Sequence, residues 1–486
     1  MKSLRMFGVA AGCLLWAALA DCLSFTVNTT NGPVTGHPAK TASTVHEFLG
    51  IPYAQPPVGK LRFMPPQRYV GDQPDCVYTP AKLVPFPGAT PNYARILTAF
   101  MGSGANAHSE DCLTLNVWTK GTAGRKRPVL VFFYGGRFTI GDTNTPFFDG
   151  QHFSEAENVV VVTVNYRVGI FGFPGAPGLR QNLGLRDQRL AVEWLRDNAG
   201  AFGGDPFKNN IFGQSSELWQ SMRIPMRIET TPLCCFPLNS RELAARNWYN
   251  ASSLAGCGSA GDVLACMQSK PVDDIRLAAD KVPPPPNTSV ARSQPVFQPG
   301  PDGELIFDDY ESLASQGKFI QTPMILGHGD RESSFYNISA SARGTVLTDE
   351  QWAQSVTEVF GCPAMKEADY RTQHNIPLWR YRYFADWSNT RLFPNSGAYH
   401  GVDLHMIFGN SEGVTGDPES PDQTILKRIM QRTWAAFAAD PWDGLKRHGW
   451  PVYKKDAYTV ARLGYNNSPF PDFVKPAAYD ARCPGA

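Results

Sequence analysis

Gly213-Gln214-Ser215 is the stretch of this sequence whose residue types and spacing could do chemistry. It follows Asn209-Asn210-Ile211-Phe212, which predicts a short strand entering a tight turn. A serine at a strand-to-helix bend presents its hydroxyl, provided small residues two before and two after it keep side chains out of the bend. Gly213 meets the first requirement, but Glu217 stands where the second small residue is needed. A serine hydroxyl is a poor nucleophile until a base takes its proton and a carboxylate orients that base. Acyl transfer by such a serine also needs backbone N–H donors aimed at the oxyanion. Nine histidines could supply the base, so Gly-x-Ser alone does not choose one.

Longer motifs narrow the choice. Phe48-Leu49-Gly50-Ile51-Pro52-Tyr53-Ala54-Gln55-Pro56-Pro57-Val58-Gly59 and Glu110-Asp111-Cys112-Leu113-Thr114-Leu115-Asn116-Val117-Trp118 come first. Asn165-Tyr166-Arg167-Val168-Gly169, Asn182-Leu183-Gly184-Leu185-Arg186-Asp187-Gln188-Arg189 and Gly203-Gly204-Asp205-Pro206 lead up to the serine. Trp434-Ala435-Ala436-Phe437-Ala438 and Trp450-Pro451-Val452-Tyr453 lie near the end. In this order they resemble the type-B carboxylesterase and cholinesterase family, in particular a secreted member of fungal type. The likeness covers nearly the whole chain outside about residues 217–240.

The resemblance implies a site. Gly327-His328-Gly329-Asp330-Arg331-Glu332 is similar to the family's acid loop and aligns Glu332 with the triad carboxylate, with Asp330 as its rival. Tyr399-His400-Gly401-Val402-Asp403-Leu404 is similar to the histidine motif and selects His400, with His328 and His405 as alternatives. Ser215, Glu332 and His400 then occur in the chain order Ser, acid, His. The oxyanion donors implied are the amides of Gly136, Arg137 and Ser216, although Arg137 replaces a usual third glycine. The same likeness implies disulfides Cys76–Cys112 and Cys257–Cys266 and ion pairs Arg62–Glu110 and Arg167–Asp187. A pairing of Cys362 with Cys483 is a further expectation with no motif behind it. Acyl transfer of this kind needs no metal and no organic cofactor. Gln214 stands where many relatives carry Glu, which weakens a case for a cationic substrate such as choline.

These residues need a scaffold. Pro128–Tyr134 and Asn158–Tyr166 are apolar, rich in β-branched or aromatic residues, and lack polar alternation. Such runs suit strands buried on both faces of a parallel sheet. Leu185, Leu190, Val192, Trp194 and Leu195 recur near a helical period, and Gly200 supplies a stop. Pro323–Leu326 reads as a further strand. Strand, helix and strand in this order predict an α/β architecture, and the resemblance makes it the α/β-hydrolase fold: a central, mostly parallel sheet flanked by helices.

Composition sets the context. The net charge is +1, which argues against a nucleic-acid partner, since displacing phosphate counterions needs a strong basic excess. Lys2 and Arg5 precede an apolar run from Met6 to Leu19, and Ala18-Leu19-Ala20 supplies a small-x-small cleavage pattern. Residues 1–20 are therefore expected to be a signal peptide and 21–486 one domain, with the Pro run 283–286 a surface loop. No later segment reads as an integral membrane span. Ten cysteines and sequons at Asn28, Asn250, Asn287, Asn337 and Asn466 suit a disulfide-bonded, glycosylated, extracellular protein. A small-molecule or lipid ester is the expected substrate.

After Ser216 the likeness stops, and it resumes near Asn247-Trp248-Tyr249-Asn250. The family would place a helix and then another central strand here. Pro225 falls where the helix interior is expected and would break it. Residues 217–232 admit codons that, displaced by two bases, read Ala-Val-Ala-Val-Asp-Ala-Tyr-Pro-Tyr-Ala-Tyr-Arg-Asp-Asp-Pro, preceded by Gly. That peptide resembles the missing helix. An insertion, a deletion or a misplaced splice junction would produce the displacement. The chain as it stands is then expected to be poorly active or inactive. The rival class is a non-catalytic adhesion or binding protein of the same fold, disfavoured because Ser215, Glu332 and His400 are all present.

Overall fold

The computed structural model describes residues 25–69, 83–101, 108–121, 126–215, 238–285 and 294–485. Two apolar runs build the centre of the larger sheet: β5 (Arg127–Phe133) and β6 (Val160–Val164), buried along their whole length. Their uniform apolar character fits strands covered on both faces. β5 pairs in parallel with β6 on one side and with β7 (Gly204–Gly213) on the other. Outward from β6 run β4 (Thr114–Thr119), β3 (His46–Pro52), β2 (Gly32–Pro38) and β1 (Phe25–Thr29), each antiparallel to its neighbour. The order is β1-β2-β3-β4-β6-β5-β7.

A second sheet contains β8 (Met324–Gly329), β9 (Leu378–Tyr383) and β10 (Val460–Leu463), mutually parallel, with β11 (Asp472–Val474) antiparallel at its edge. Helices cover the sheets, among them α1 (Leu183–Asn198), α2 (Arg241–Leu254), α3 (Ser333–Ala342), the short α4 (Leu404–Phe408) and α5 (Pro421–Ala439). Parallel strands at the centre, antiparallel strands at the margins and helices around them form the expected α/β-hydrolase fold.

One expectation needs correction. Gly200 does not stop the helix: a 3-10 turn continues to Phe202, and Gly203, at φ +75°, supplies the left-handed residue that ends it. Among the described residues the strands fall into two sheets. β7 and β8 are both edge strands, each paired on one side only among the described residues. The strand expected between them falls within 217–240, of which 217–237 lie outside the described residues. β7 carries the mark of an edge: Ile211 and Phe212 are only half-buried, and Phe207 is 89 % exposed.

Elsewhere the scaffold is tied as the resemblance implies. Arg167 makes a bidentate pair with Asp187, with N–O distances of 2.7 and 2.8 Å, joining the end of β6 to α1. Arg62 holds Glu110 through two contacts of 2.6 Å and also donates to the carbonyls of Met267 and Lys270. Cys257–Cys266 is formed, and so is Cys362–Cys483. Cys112 is disulfide-bonded, whereas Cys76 lies outside the described residues.

Candidate active site

The register of β5 and β7 opposes Phe133 to Gly213, so the segments that follow emerge side by side at the C-terminal ends of parallel strands. That is where ligands bind in open α/β sheets. One segment is Tyr134-Gly135-Gly136-Arg137-Phe138 and the other is Gln214-Ser215. They touch: a Cβ added to Gly135 would lie 2.5 Å from Gln214 Oε1 and 3.0 Å from the Ser215 Cβ, so only glycine fits there.

Both segments are conformationally strained. Ser215 has φ +61°, as a cramped bend requires. Gly136 at +105°, Arg137 at +59° and Phe138 at +61° make three successive left-handed residues, two of them not glycine. Side chains in this region cost of order 1–3 kcal/mol each, and such strain clusters at functional sites. Of the three expected oxyanion donors, Gly136 and Arg137 are on this loop, while Ser216 lies outside the described residues.

Glu332 and His400 come from the second sheet. Glu332 follows β8 and is 3 % exposed; His400, in the segment after β9, is 5 % exposed. Glu332 Oε1 accepts from the Gly329 amide at 2.6 Å, and Oε2 accepts from His400 Nδ1. The acid and histidine loops are stitched together where the Arg331 amide donates to the Ala398 carbonyl at 3.0 Å. Burial opposes the charge on Glu332, but the imidazole of His400, with help from His328 and the Gly329 amide, holds the carboxyl below its usual range. The rival Asp330 faces away and pairs with Arg382 at 2.9 Å.

The alternative histidines are placed differently. His328 is buried, its Nδ1 bonded to the carbonyl of Gly329 at 2.9 Å, and burial with the nearby Arg382 charge pushes it down to about 4. His405 is buried against Phe147, and burial pushes it down to about 3. Neither ring nitrogen of His405 has a hydrogen-bond partner among the described residues. Both rings are therefore neutral, and neither is bonded to a carboxylate.

Ser215, Glu332 and His400 line one cleft, whose walls include Ile211 and Phe212 of β7 and Met324 and Ile325 of β8. No hydrogen bond joins Ser215 to His400 among the described residues; His400 Nε2 instead lies 2.9 Å from the side-chain nitrogen of Gln214. The rings of Tyr336, Phe360 and Phe335 stand 5.1, 5.5 and 6.0 Å from that of His400. Asp403, in the histidine motif, accepts from the Tyr381 hydroxyl at 2.9 Å. Burial, then the charge of Glu332, push it up to about 6. The sequence did not single out the Gln214 contact or the Asp403–Tyr381 pair. The signal available for Asp403 was its place three residues after His400.

A strained serine bend, a loop with three successive left-handed residues and a buried imidazole–carboxylate pair sit at the C-terminal ends of parallel strands, an arrangement of the α/β-hydrolase class. The chain belongs to the carboxylesterase family, whose family model matches residues 24–216 and 348–481, well over half of its length. It is 30% identical over 441 residues to chlorogenic acid esterase of Aspergillus niger, covering 86% of this chain and 83% of that protein. Secreted lipase 5 of Gibberella zeae is 29% identical, with 89% and 88% covered. Acetylcholinesterase of Bungarus fasciatus is 28% identical, with 84% and 77% covered. The chain is accordingly an ester hydrolase of the serine carboxylesterase type. The first block of the family match ends at Ser216, the residue after which the sequence motifs stop.

Proposed function

We propose that this protein cleaves carboxylic esters in two steps through Ser215, His400 and Glu332. His400 takes the Ser215 proton as the hydroxyl oxygen attacks the ester carbonyl. The amides of Gly136 and Arg137, with Ser216, receive the oxyanion. His400 returns the proton to the leaving alcohol, and the acyl group stays on Ser215. A water, deprotonated by the same imidazole, then releases the acid and restores the serine. Glu332 keeps the proton of His400 on Nδ1 and balances the charge of the imidazolium. The observation that carries this reading is the buried Glu332–His400 bond in the cleft that Ser215 lines at a strained φ.

The substrate class is supported from two sides. Aromatic rings surround the imidazole, and named relatives act on chlorogenic acid or are lipases. Apolar or aromatic acyl esters fit both; feruloyl, lipid and mycotoxin esters all fall in this range, and a chain-length series of acyl esters ranks them. An extracellular site of action is supported by the disulfides, by a secreted relative and by exposed sequon asparagines at 28, 250 and 466. No helix among the described residues is long and apolar enough to cross a membrane.

The present sequence is the poorly active form of this enzyme. The displaced reading of 217–232 would return a glycine two residues beyond Ser215 and the helix behind it, and a further central strand would pair the edges of β7 and β8 that have no partner among the described residues. A fluorophosphonate probe should label Ser215 in a frame-restored chain, and Ser215→Ala should abolish labelling. The same substitution should cut p-nitrophenyl butyrate turnover by more than about a thousandfold. Equal turnover by the present and restored chains contradicts the damage. Absence of labelling in the restored chain replaces the hydrolase with an adhesion or binding role.

A further inference from the structure

Gln214 occupies an unusual position. The residue is 7 % exposed, and its side chain lies between the two loops that carry the chemistry. Oε1 rests against the backbone of Gly135, where an added Cβ would be 2.5 Å away. Nε2 rests near Gly401, where an added Cβ would be 3.2 Å away. From there it reaches His400 Nε2 at 2.9 Å. The donor is not in doubt for a neutral ring. His400 Nδ1–H donates to Glu332, whose other oxygen accepts from the Gly329 amide, so Nε2 carries the lone pair and the amide N–H donates into it. That lone pair is the one that must receive the proton of Ser215.

We propose that Gln214 is a positioning residue that latches the resting imidazole of His400 by donating to Nε2, and so sets the pH at which the base becomes available. The inference rests on the reading of His400 as the base. A donor on Nε2 stabilises the neutral ring and opposes the imidazolium, whose own N–H would meet the amide N–H head-on. The amide must turn, offering Oε1, or withdraw before the ring can be protonated. Gln does this without adding charge; a Glu at the same place would accept from the imidazolium and favour it. The other groups facing the ring are Glu332 on Nδ1, Asp403 of its own segment, and the Tyr336 ring. Behind them lie His328, Tyr381 and Arg382, which act on Glu332 or on His328.

Gln214→Met keeps the length of the side chain and removes the donor, and Gln214→Glu replaces it with an acceptor. The rate of fluorophosphonate labelling of Ser215 is measured against pH for the frame-restored chain and for both variants made in it. For Gln214→Met the plateau should rise about twofold to tenfold and the acid limb should move up by about half to one pH unit, the equivalents of one neutral hydrogen bond. For Gln214→Glu the limb should move up further. A plateau that falls with the limb unmoved would mean that Gln214 only packs the loops, and a limb that moves down in Gln214→Glu overturns the latch outright. The histidine ring titrations of the present chain, followed by NMR with His400→Ala identifying the signal, give the same comparison without turnover. If no frame-restored chain labels, the hydrolase reading fails, and the NMR midpoint of Gln214→Met still decides this one: unchanged, it refutes the latch.

Discussion

His405 is 1 % exposed, its ring 4.4 Å from that of Phe147, with neither nitrogen hydrogen-bonded among the described residues. Its folded value, about 3, lies below the ordinary 6.5, so the unfolded chain takes up the proton first as pH falls. The stability His405 contributes is complete above pH 6.5 and drains away towards pH 3, at up to about 1.4 kcal/mol per pH unit. His328, at about 4, works in the same direction. Asp403, raised to about 6, works in the opposite one, favouring the fold less as pH rises from 4 to 6. His405→Phe removes one member of this set. Urea midpoints between pH 6.5 and 4 should fall less steeply in that variant, and parallel curves would contradict the assignment. At this scale the sequence was partly legible. Asp330 and Glu332 are two residues apart, and only likeness to a family motif favoured the second; the structure turns one to Arg382 and the other to His400. The Gln214–His400 contact bridges 186 positions and has no local pattern.

Elements were easiest to read where one physical demand acted alone. β5 and β6 are buried throughout, so their residues alternate in nothing, and both runs stood out. α1 was visible in its apolar spacing, yet its end was misplaced, because only the backbone reveals that Gly203 rather than Gly200 adopts the left-handed turn. β7 was foreseen only from Asn209 on, whereas it starts at Gly204, since half-buried edge residues carry a weak pattern. Ties between elements yield a further prediction. Arg167–Asp187 is buried on both sides, with side chains 4% and 0% exposed. Asp187→Asn strands the guanidinium and should cost about 3–5 kcal/mol. The Cys362–Cys483 bond closes 121 residues of chain, and Cys483→Ser should cost a similar 2–5 kcal/mol. Denaturant titrations without reductant measure both, and a loss under 1 kcal/mol in either would show that the tie is dispensable.

At the scale of the whole molecule, the described strands form two sheets, with β7 at an edge of one and β8 at an edge of the other. A strand laid between β7 and β8 would cover the half-buried Ile211 and Phe212 and pair two edges that have no partner among the described residues. A restored chain should therefore unfold at higher denaturant and with a larger m-value, because more surface is exposed on unfolding. Identical m-values would mean that the present fold already buries what the restored one does. Sequencing the transcript supplies the independent check: an intact frame through 217–232 ends the displacement hypothesis. The lapse in motif order was legible in the sequence, but which described strands would lie at sheet edges was not, since strand adjacency is decided by register far away in sequence.

Ser215 is mounted on the end of one slab of the molecule, and Glu332 with His400 on the other. Rigidity within either slab does not by itself set the gap between them, which also depends on the Gln214–His400 contact and on the apolar core that both slabs share. Small relative swings would alter oxygen-to-nitrogen reach at the reacting corner while leaving the acid–imidazole couple untouched. Inactivation of this chain would then present as a loss of alignment, with every chemical group still in place.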